Sequence, residues 1–154
     1  MSCEHEHGLA LQGDEAVAWA LELCRQRGLR RTNALRQLLA VLVESPSPLT
    51  LQELVETDRL RDLCDRVTLY RLLDRLEKIG LVRRLGLHER AAHFTIALPG
   101  RHDDYLVCTG CGTIEKLDME CPVEILEKQV AKDSGFTDVH HELEFFGTCP
   151  ECNA

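Results

Sequence analysis

From residue 65 to residue 80 the chain reads Asp65-Arg66-Val67-Thr68-Leu69-Tyr70-Arg71-Leu72-Leu73-Asp74-Arg75-Leu76-Glu77-Lys78-Ile79-Gly80. Leu69, Leu72, Leu73, Leu76 and Ile79 recur at helical spacing and form one apolar stripe. Asp65 can cap the helix and Gly80 stops it, which predicts a helix over 66–79. Arg66, Tyr70, Arg71, Asp74, Arg75 and Lys78 fall mostly on the other face. A Tyr ring there offers apolar contact to thymine methyls, and Arg71 can pair with guanine O6/N7 or with phosphate. Arg75 and Lys78 suit phosphates. The plainer reading of the same face is a solvated basic stripe.

Outward from this helix, the pattern keeps one order. Upstream, Val17, Leu21 and Cys24 recur within Asp14 to Arg27, a first helix ended by Gly28. Thr32 can cap a second helix running to about Glu44, with Leu35, Leu38, Leu39 and Leu42 inward. Ser45-Pro46-Ser47-Pro48 breaks the chain, and Thr50-Leu51-Gln52-Glu53 is a capping-box sequence opening a third helix. An irregular stretch follows to Cys64. Downstream, two short strands are expected near 81–85 and 91–97, with Arg83 and Arg84 on the first. Helices followed by a two-stranded wing are the order of a winged helix-turn-helix. In that fold the 66–79 helix enters the major groove.

Pro99-Gly100 is the expected domain boundary. It separates a polar tail (1–13) and a winged-helix domain (14–98) from a C-terminal domain (99–154). In the latter, strands near 104–108 and 112–117 flank a Cys-x-x-Cys-Gly turn. A helix is expected from Pro122, at its first position, to about Asp133, closed by Gly135. Phe136 to Phe146 then alternates as a strand would, with Val139, His141, Leu143 and Phe145 on one face. The expected class is α+β.

Two Cys-x-x-Cys pairs, Cys108/Cys111 and Cys149/Cys152, are separated by 37 residues. Zn²⁺ takes four tetrahedral ligands, and two such turns supply two thiolates each. A structural zinc would staple a domain too small to rely on its core alone. A redox dithiol, or two unrelated turns, is the competing reading.

The chain has 154 residues, 44% apolar and 29% charged, as a folded protein does. Its net charge is −8 and its pI about 5.3, which taken alone argues against a nucleic-acid binder. The charge is unevenly placed. Residues 1–98 hold 14 Lys/Arg and 14 Asp/Glu, whereas residues 99–154 hold 4 and 12. Within the first part, residues 28–90 carry 12 bases against 9 acids. The C-terminal part suits cations and the middle suits an anion. No apolar run approaches the length of a membrane span. The first residues lack the basic and apolar regions of a signal peptide. A cytoplasmic protein is expected, in which eight Cys serve as metal ligands or free thiols.

In this order the motifs resemble the ferric uptake regulator (Fur) superfamily of bacterial metalloregulators, over about residues 14–152. They are Gly28-Leu29-Arg30-Arg31-Thr32, Val67-Thr68-Leu69-Tyr70-Arg71-Leu72-Leu73 and Glu77-Lys78-Ile79-Gly80-Leu81-Val82. His102-Asp103-Asp104-Tyr105-Leu106-Val107-Cys108, Cys111-Gly112, Gly135-Phe136, His141, Gly147 and the closing Cys pair complete them. The resemblance implies a homodimer whose winged helices bind a pseudo-palindromic, AT-rich operator. Metal loading closes that dimer into its DNA-binding shape, usually to repress uptake genes. It implies that Arg30 or Arg31 reaches the minor groove. Where the family has an Arg three residues after the Thr, this chain has Leu35.

The resemblance also implies a regulatory metal site at His102, Asp104, Glu124 and His141. Fe²⁺ is the first expectation, Zn²⁺ the second, and Mn²⁺ trails. The family's second regulatory site falls on Pro48, Thr95, Asp103, Tyr105 and Lys116, of which only Asp103 suits a hard metal. His88, Glu89 and His93 near the hinge are substitute candidates, with surface polarity as the plainer reading. The missing His pair lowers peroxide sensing. Cys3, His5 and His7 could chelate a metal or belong to a solvated tail. Cys24 and Cys64 read as buried thiols. Cys121, before Pro122 at a helix N-terminus, is a secondary candidate as a ligand or redox-sensitive thiol. No H-E-x-x-H helix or Gly-rich phosphate loop is present, so neither an enzyme nor a small-molecule substrate is expected. The alternatives are a zinc-uptake regulator of the same family and, further off, a zinc-stapled protein-interaction module.

Overall fold

A computed structural model describes residues 10–87 and 90–154. The chain divides into two units between His102 and Asp103, a few residues beyond Pro99-Gly100.

The first unit opens with α1 (Gly13–Gln26) and α2 (Asn33–Glu44). Thr32 caps α2, its Oγ1 accepting from the Leu35 amide at 3.1 Å. The two-residue strand β1 (Leu49–Thr50) leads into α3 (Leu51–Glu56), where the capping box forms. The Glu53 amide donates to Thr50 Oγ1 at 3.2 Å, and the Thr50 amide to Glu53 Oε2 at 2.7 Å. The stretch expected to be irregular contains a single turn, α4 (Asp58–Arg61), because Leu60 is drawn fully into the core. Then come α5 (Arg66–Lys78), β2 (Val82–Leu85) and β3 (His93–Ile96).

The sheet has three strands rather than the expected two, in the order β1-β3-β2, both pairs antiparallel. No two-residue strand has a period to detect, so β1 is invisible until β3 is beside it. The core is leucine-rich: Leu35, Leu38, Leu39, Leu42, Leu54, Leu60, Leu69, Leu73, Leu76 and Leu81 are each at most 2% exposed. Each such side chain contributes about 1.5–3 kcal/mol by leaving water. Leu72 and Ile79 of the α5 stripe are only half-buried at its margin.

In the second unit, β4 (Tyr105–Cys108) is central. It pairs antiparallel with β5 (Ile114–Lys116) and parallel with β6 (Glu144–Gly147). A parallel pair needs a crossover, and α6 (Glu124–Ser134) lies on it. Gly135 ends α6 in the left-handed region, φ 72°.

Two expectations are corrected. The helix begins at Glu124, so Pro122 lies ahead of it rather than at its first position. The strand expected over 136–146 forms only at 144–147. The four-residue β4 is matched in register from Tyr105↔Glu144 to Cys108↔Gly147. Earlier residues run past the end of that ladder, and Asp138 turns the chain at φ 55°. Among the described residues, no helix is long and apolar enough to cross a membrane.

Candidate functional site

The parallel register of β4 and β6 assembles the four cysteines. Cys108 ends β4 opposite Gly147, and the Thr109 amide donates to the Gly147 carbonyl at 2.7 Å. That seam brings the 108–111 turn against the 149–152 turn. The four sulfurs lie within 4.8 Å of one another, with Cys111 and Cys149 at 3.8 Å. Cys108 Sγ accepts from the amides of Gly110 (3.3 Å), Cys111 (3.5 Å) and Cys149 (3.3 Å). These donors, the Cys111 amide first, favour its thiolate and hold the thiol down at about 6. Cys152 is pushed up to about 12 by the neighbouring sulfurs, Cys149 first. Four sulfurs this close cannot all ionise alone; a dication reverses that penalty. The donor set fits Zn²⁺. Gly110 is needed for the approach, since a Cβ there would lie 2.9 Å from Cys152 Sγ.

A second group of ligand atoms, also within 4.8 Å of one another, belongs to His102, Asp104, Cys121 and His141. His102 is the residue at the junction, one peptide bond ahead of the second unit. Asp104 is buried, Cys121 and His141 are half-buried, and His102 is exposed. His141 Nε2 lies 3.1 Å from Cys121 Sγ, and its Nδ1 contacts Glu127 Oε2 closely.

Three of the four residues expected here are therefore together, and Glu124 is outside the group. It sits in the first turn of α6 and accepts from Lys128 Nζ at 3.2 Å. Cys121 stands in the group instead. Sequence reasoning missed Glu127 altogether. Its one signal was the three-residue spacing from Glu124 on the same helix face. The expectation that a helix N-terminus would stabilise a Cys121 thiolate is also corrected. Burial first, with the Asp104 carboxylate adding to it, pushes its thiol up and outweighs the Val123 and Glu124 amides at the helix start, which do favour the thiolate.

Of the hinge candidates, His88 and Glu89 lie outside the described residues, as do Cys3, His5 and His7. His93 is in β3, opposite Thr50 and Leu85, and half-buried. At the family's second set of positions, Asp103 is ion-paired with Lys116 at 2.5 Å, and Pro48, Thr95 and Tyr105 are buried. An ammonium at one of these positions opposes a cation.

In the first unit, α5 turns its apolar stripe inward and keeps Tyr70, Arg71, Arg75 and Lys78 exposed. Tyr70 is 49% and Val67 57% exposed. Lys78 bonds Asp74 at 2.8 Å, and Arg66 bonds Gln52 at 2.6 Å. Asp65 holds the helix start, its Oδ1 accepting from the Thr68 amide at 2.7 Å. Arg30 and Arg31 are exposed just ahead of α2. Leu35 is fully buried and Arg36 exposed, so the core claims the position where the family has an arginine.

These features define an α+β protein with a helical N-terminal region and a β-rich C-terminal unit equipped to bind metal. The Ferric uptake regulator family matches residues 26–146, and the chain belongs to that family. The resemblance read from the motifs is thus borne out. The Ferric uptake regulation protein of Legionella pneumophila is 35% identical over 85 residues, 55% of this chain and 61% of that protein. Its counterpart in Rhizobium leguminosarum bv. viciae is 28% identical over 128 residues, 82% of this chain and 88% of that one. The chain thus spans about three-fifths of the Legionella protein's length and most of the Rhizobium one. The fold is shared with the Helicobacter pylori ferric uptake regulator, at TM-score 0.69 and 23% identity over 94% of this chain and 98% of that one. The Vibrio cholerae regulator gives 0.60 and 26%, over 83% and 98%.

Proposed function

We propose that this protein is a metal-responsive, DNA-binding transcriptional regulator that acts as a homodimer and represses metal-uptake genes. The observation that carries the reading is the second ligand cluster, assembled in a chain of this family. Cys108, Cys111, Cys149 and Cys152 would hold a structural Zn²⁺. His102, Asp104 and His141 would hold the sensed divalent ion. By kinship that ion is Fe²⁺; the sulfur of Cys121 favours a second reading, Zn²⁺. Neither catalysis nor a small-molecule substrate belongs to this function.

The first unit is read as a winged helix, with β2 and β3 as the wing. Helix α5 would enter the major groove through Tyr70, Arg71, Arg75 and Lys78, and Arg30 and Arg31 would reach the adjacent groove. The apolar surface of the second unit supports pairing of two copies. Ile125, Leu126 and Val130 of α6, with Phe136, Phe145 and Phe146, are all exposed.

The same geometry couples metal to pairing. The second cluster draws on three segments: the lead into β4 (His102, Asp104), the lead into α6 (Cys121) and the approach to β6 (His141). A divalent ion supplies the charge that holds them together. The residues it gathers set α6 and β6, which carry the exposed apolar side chains. An ion that favours the paired form shifts the population only by its differential affinity, and DNA affinity follows by linkage.

The test is operator binding titrated with buffered Fe²⁺, Zn²⁺ and Mn²⁺. Metal should raise affinity, and binding should weaken steeply with salt. Equally tight binding in excess chelator, with the cysteine-held zinc retained, would refute the sensor.

A further inference from the structure

We infer that Cys121, not Glu124, is the fourth ligand of the second metal centre, and that its sulfur makes the site prefer Zn²⁺ to Fe²⁺ and Mn²⁺. That this cluster is the sensing site is taken from the function proposed here; the identity of its fourth ligand stands on geometry.

The Cys121 sulfur shares one small volume with the ligand atoms of His102, Asp104 and His141. Bond lengths of about 2.3 Å to sulfur and 2.0 Å to nitrogen, at a tetrahedral angle, would set the two ligand atoms about 3.5 Å apart. Cys121 Sγ and His141 Nε2 stand at 3.1 Å, close to that spacing. Glu124 is not in the group. Its side chain is 49% exposed and engaged with Lys128, whose ammonium would oppose a cation. Helix α6 begins at Glu124, and Cys121 lies in the segment that leads into it, on the side facing Asp104 and His141.

His141 is already set for this role. Its Nδ1 meets the Glu127 carboxylate and its Nε2 faces the sulfur. A carboxylate on Nδ1 keeps the ring proton there and leaves the Nε2 lone pair for the metal. Glu127 is therefore a positioning residue. It fixes the tautomer and angle of a ligand without touching the ion.

Two imidazoles, one carboxylate and one thiolate form a four-donor set that suits tetrahedral Zn²⁺. Replacing a carboxylate by a thiolate moves the site away from Mn²⁺, and the general affinity order already places Zn²⁺ above Fe²⁺ and Mn²⁺.

The experiment uses the full-length protein carrying one equivalent of Zn²⁺ in the four-cysteine site, to which Co²⁺ is added. The second equivalent should bring in a thiolate-to-cobalt charge-transfer band and a tetrahedral d–d spectrum. Cys121→Ser should abolish the band, and Glu124→Gln should leave it. In chelator competition, Glu127→Gln should weaken Zn²⁺ binding roughly 10–100-fold, and Cys121→Ser should weaken it more. Should Cys121→Ser fold poorly, alkylation of the parent protein decides. Added Zn²⁺ should protect Cys121 beyond the four structural cysteines. A second Co²⁺ bound with no sulfur band, a band lost in Glu124→Gln but kept in Cys121→Ser, or no second ion bound would each overturn the assignment. The first two leave the regulator standing with a carboxylate ligand. Metal-independent operator binding, or no second ion bound, refutes the metal sensor itself.

Discussion

The two units solve the problem of burial in opposite ways. The first buries leucines from five helices against a three-stranded sheet, and every member of the main core cluster lies in it, from Ala16 to Leu98. The second buries Asp104, Tyr105, Val107 and Cys108 on and beside one strand, and its helix α6 has no buried residue. Hydrophobic burial therefore holds the first unit together, and something else must order the second. The second unit has the four-cysteine cluster, three of the four residues of the second cluster, and exposed apolar side chains on α6 and β6. Under the proposed function an ion and a second copy would supply that order, and such a unit would be suited to report on the ion.

The largest break in this contrast should come from the four-cysteine site. Cys108→Ser or a strong chelator should unfold the second unit and leave the first folded. Apparent zinc contributions to folding in small domains run to about 10–16 kcal/mol. Amide exchange resolved along the chain checks this, and uniform loss of protection in both units would contradict it. Next, Leu69→Ala should destabilise the first unit by about 2–5 kcal/mol. Denaturant unfolding should find the zinc affinity of the second unit unchanged.

A smaller effect on stability, with a large one on assembly, is expected for Ile125→Ser combined with Phe146→Ser. Both side chains are exposed in one chain, so the monomer should fold as before. Sedimentation should show the proposed dimer of the parent protein lost in the variant; a dimer unaltered in the variant would mean that another face pairs. Thr50→Ala removes the capping box of α3 and should cost about 1 kcal/mol. The smallest effect is on pH response. The Thr68 amide holds the Asp65 carboxyl below its ordinary range. Its contribution is present above the unfolded value and is lost as pH falls through the lower folded one. Asp65→Asn should flatten that part of the acid unfolding curve, measured by circular dichroism, without moving the neutral baseline much.

Legibility followed the range of the interactions. Thr32, the Thr50/Glu53 box and Asp65 act on amides three residues away, and each was visible as a short pattern. The stripe of α5 was visible as a period. The Cys-x-x-Cys pairs announced themselves by spacing, although their meeting depends on the β4–β6 register. What went unread lacked a local pattern. Strand β1 is two residues long. The 136–143 stretch alternates like a strand but runs beyond the ladder that would make it one.

The charge split, the helix order and the two cysteine pairs were properties of the sequence alone. The family resemblance was carried by the motifs from Gly28-Leu29-Arg30-Arg31-Thr32 to the closing Cys pair, which are short-range facts as well. Which side chain joins His102, Asp104 and His141 was decided only by the tertiary structure. Those residues are up to 39 positions apart in the chain, and ligands converge in space rather than in sequence. Cys121, in the lead into α6, has its sulfur in the cluster, and the expected carboxylate of Glu124 is outside it.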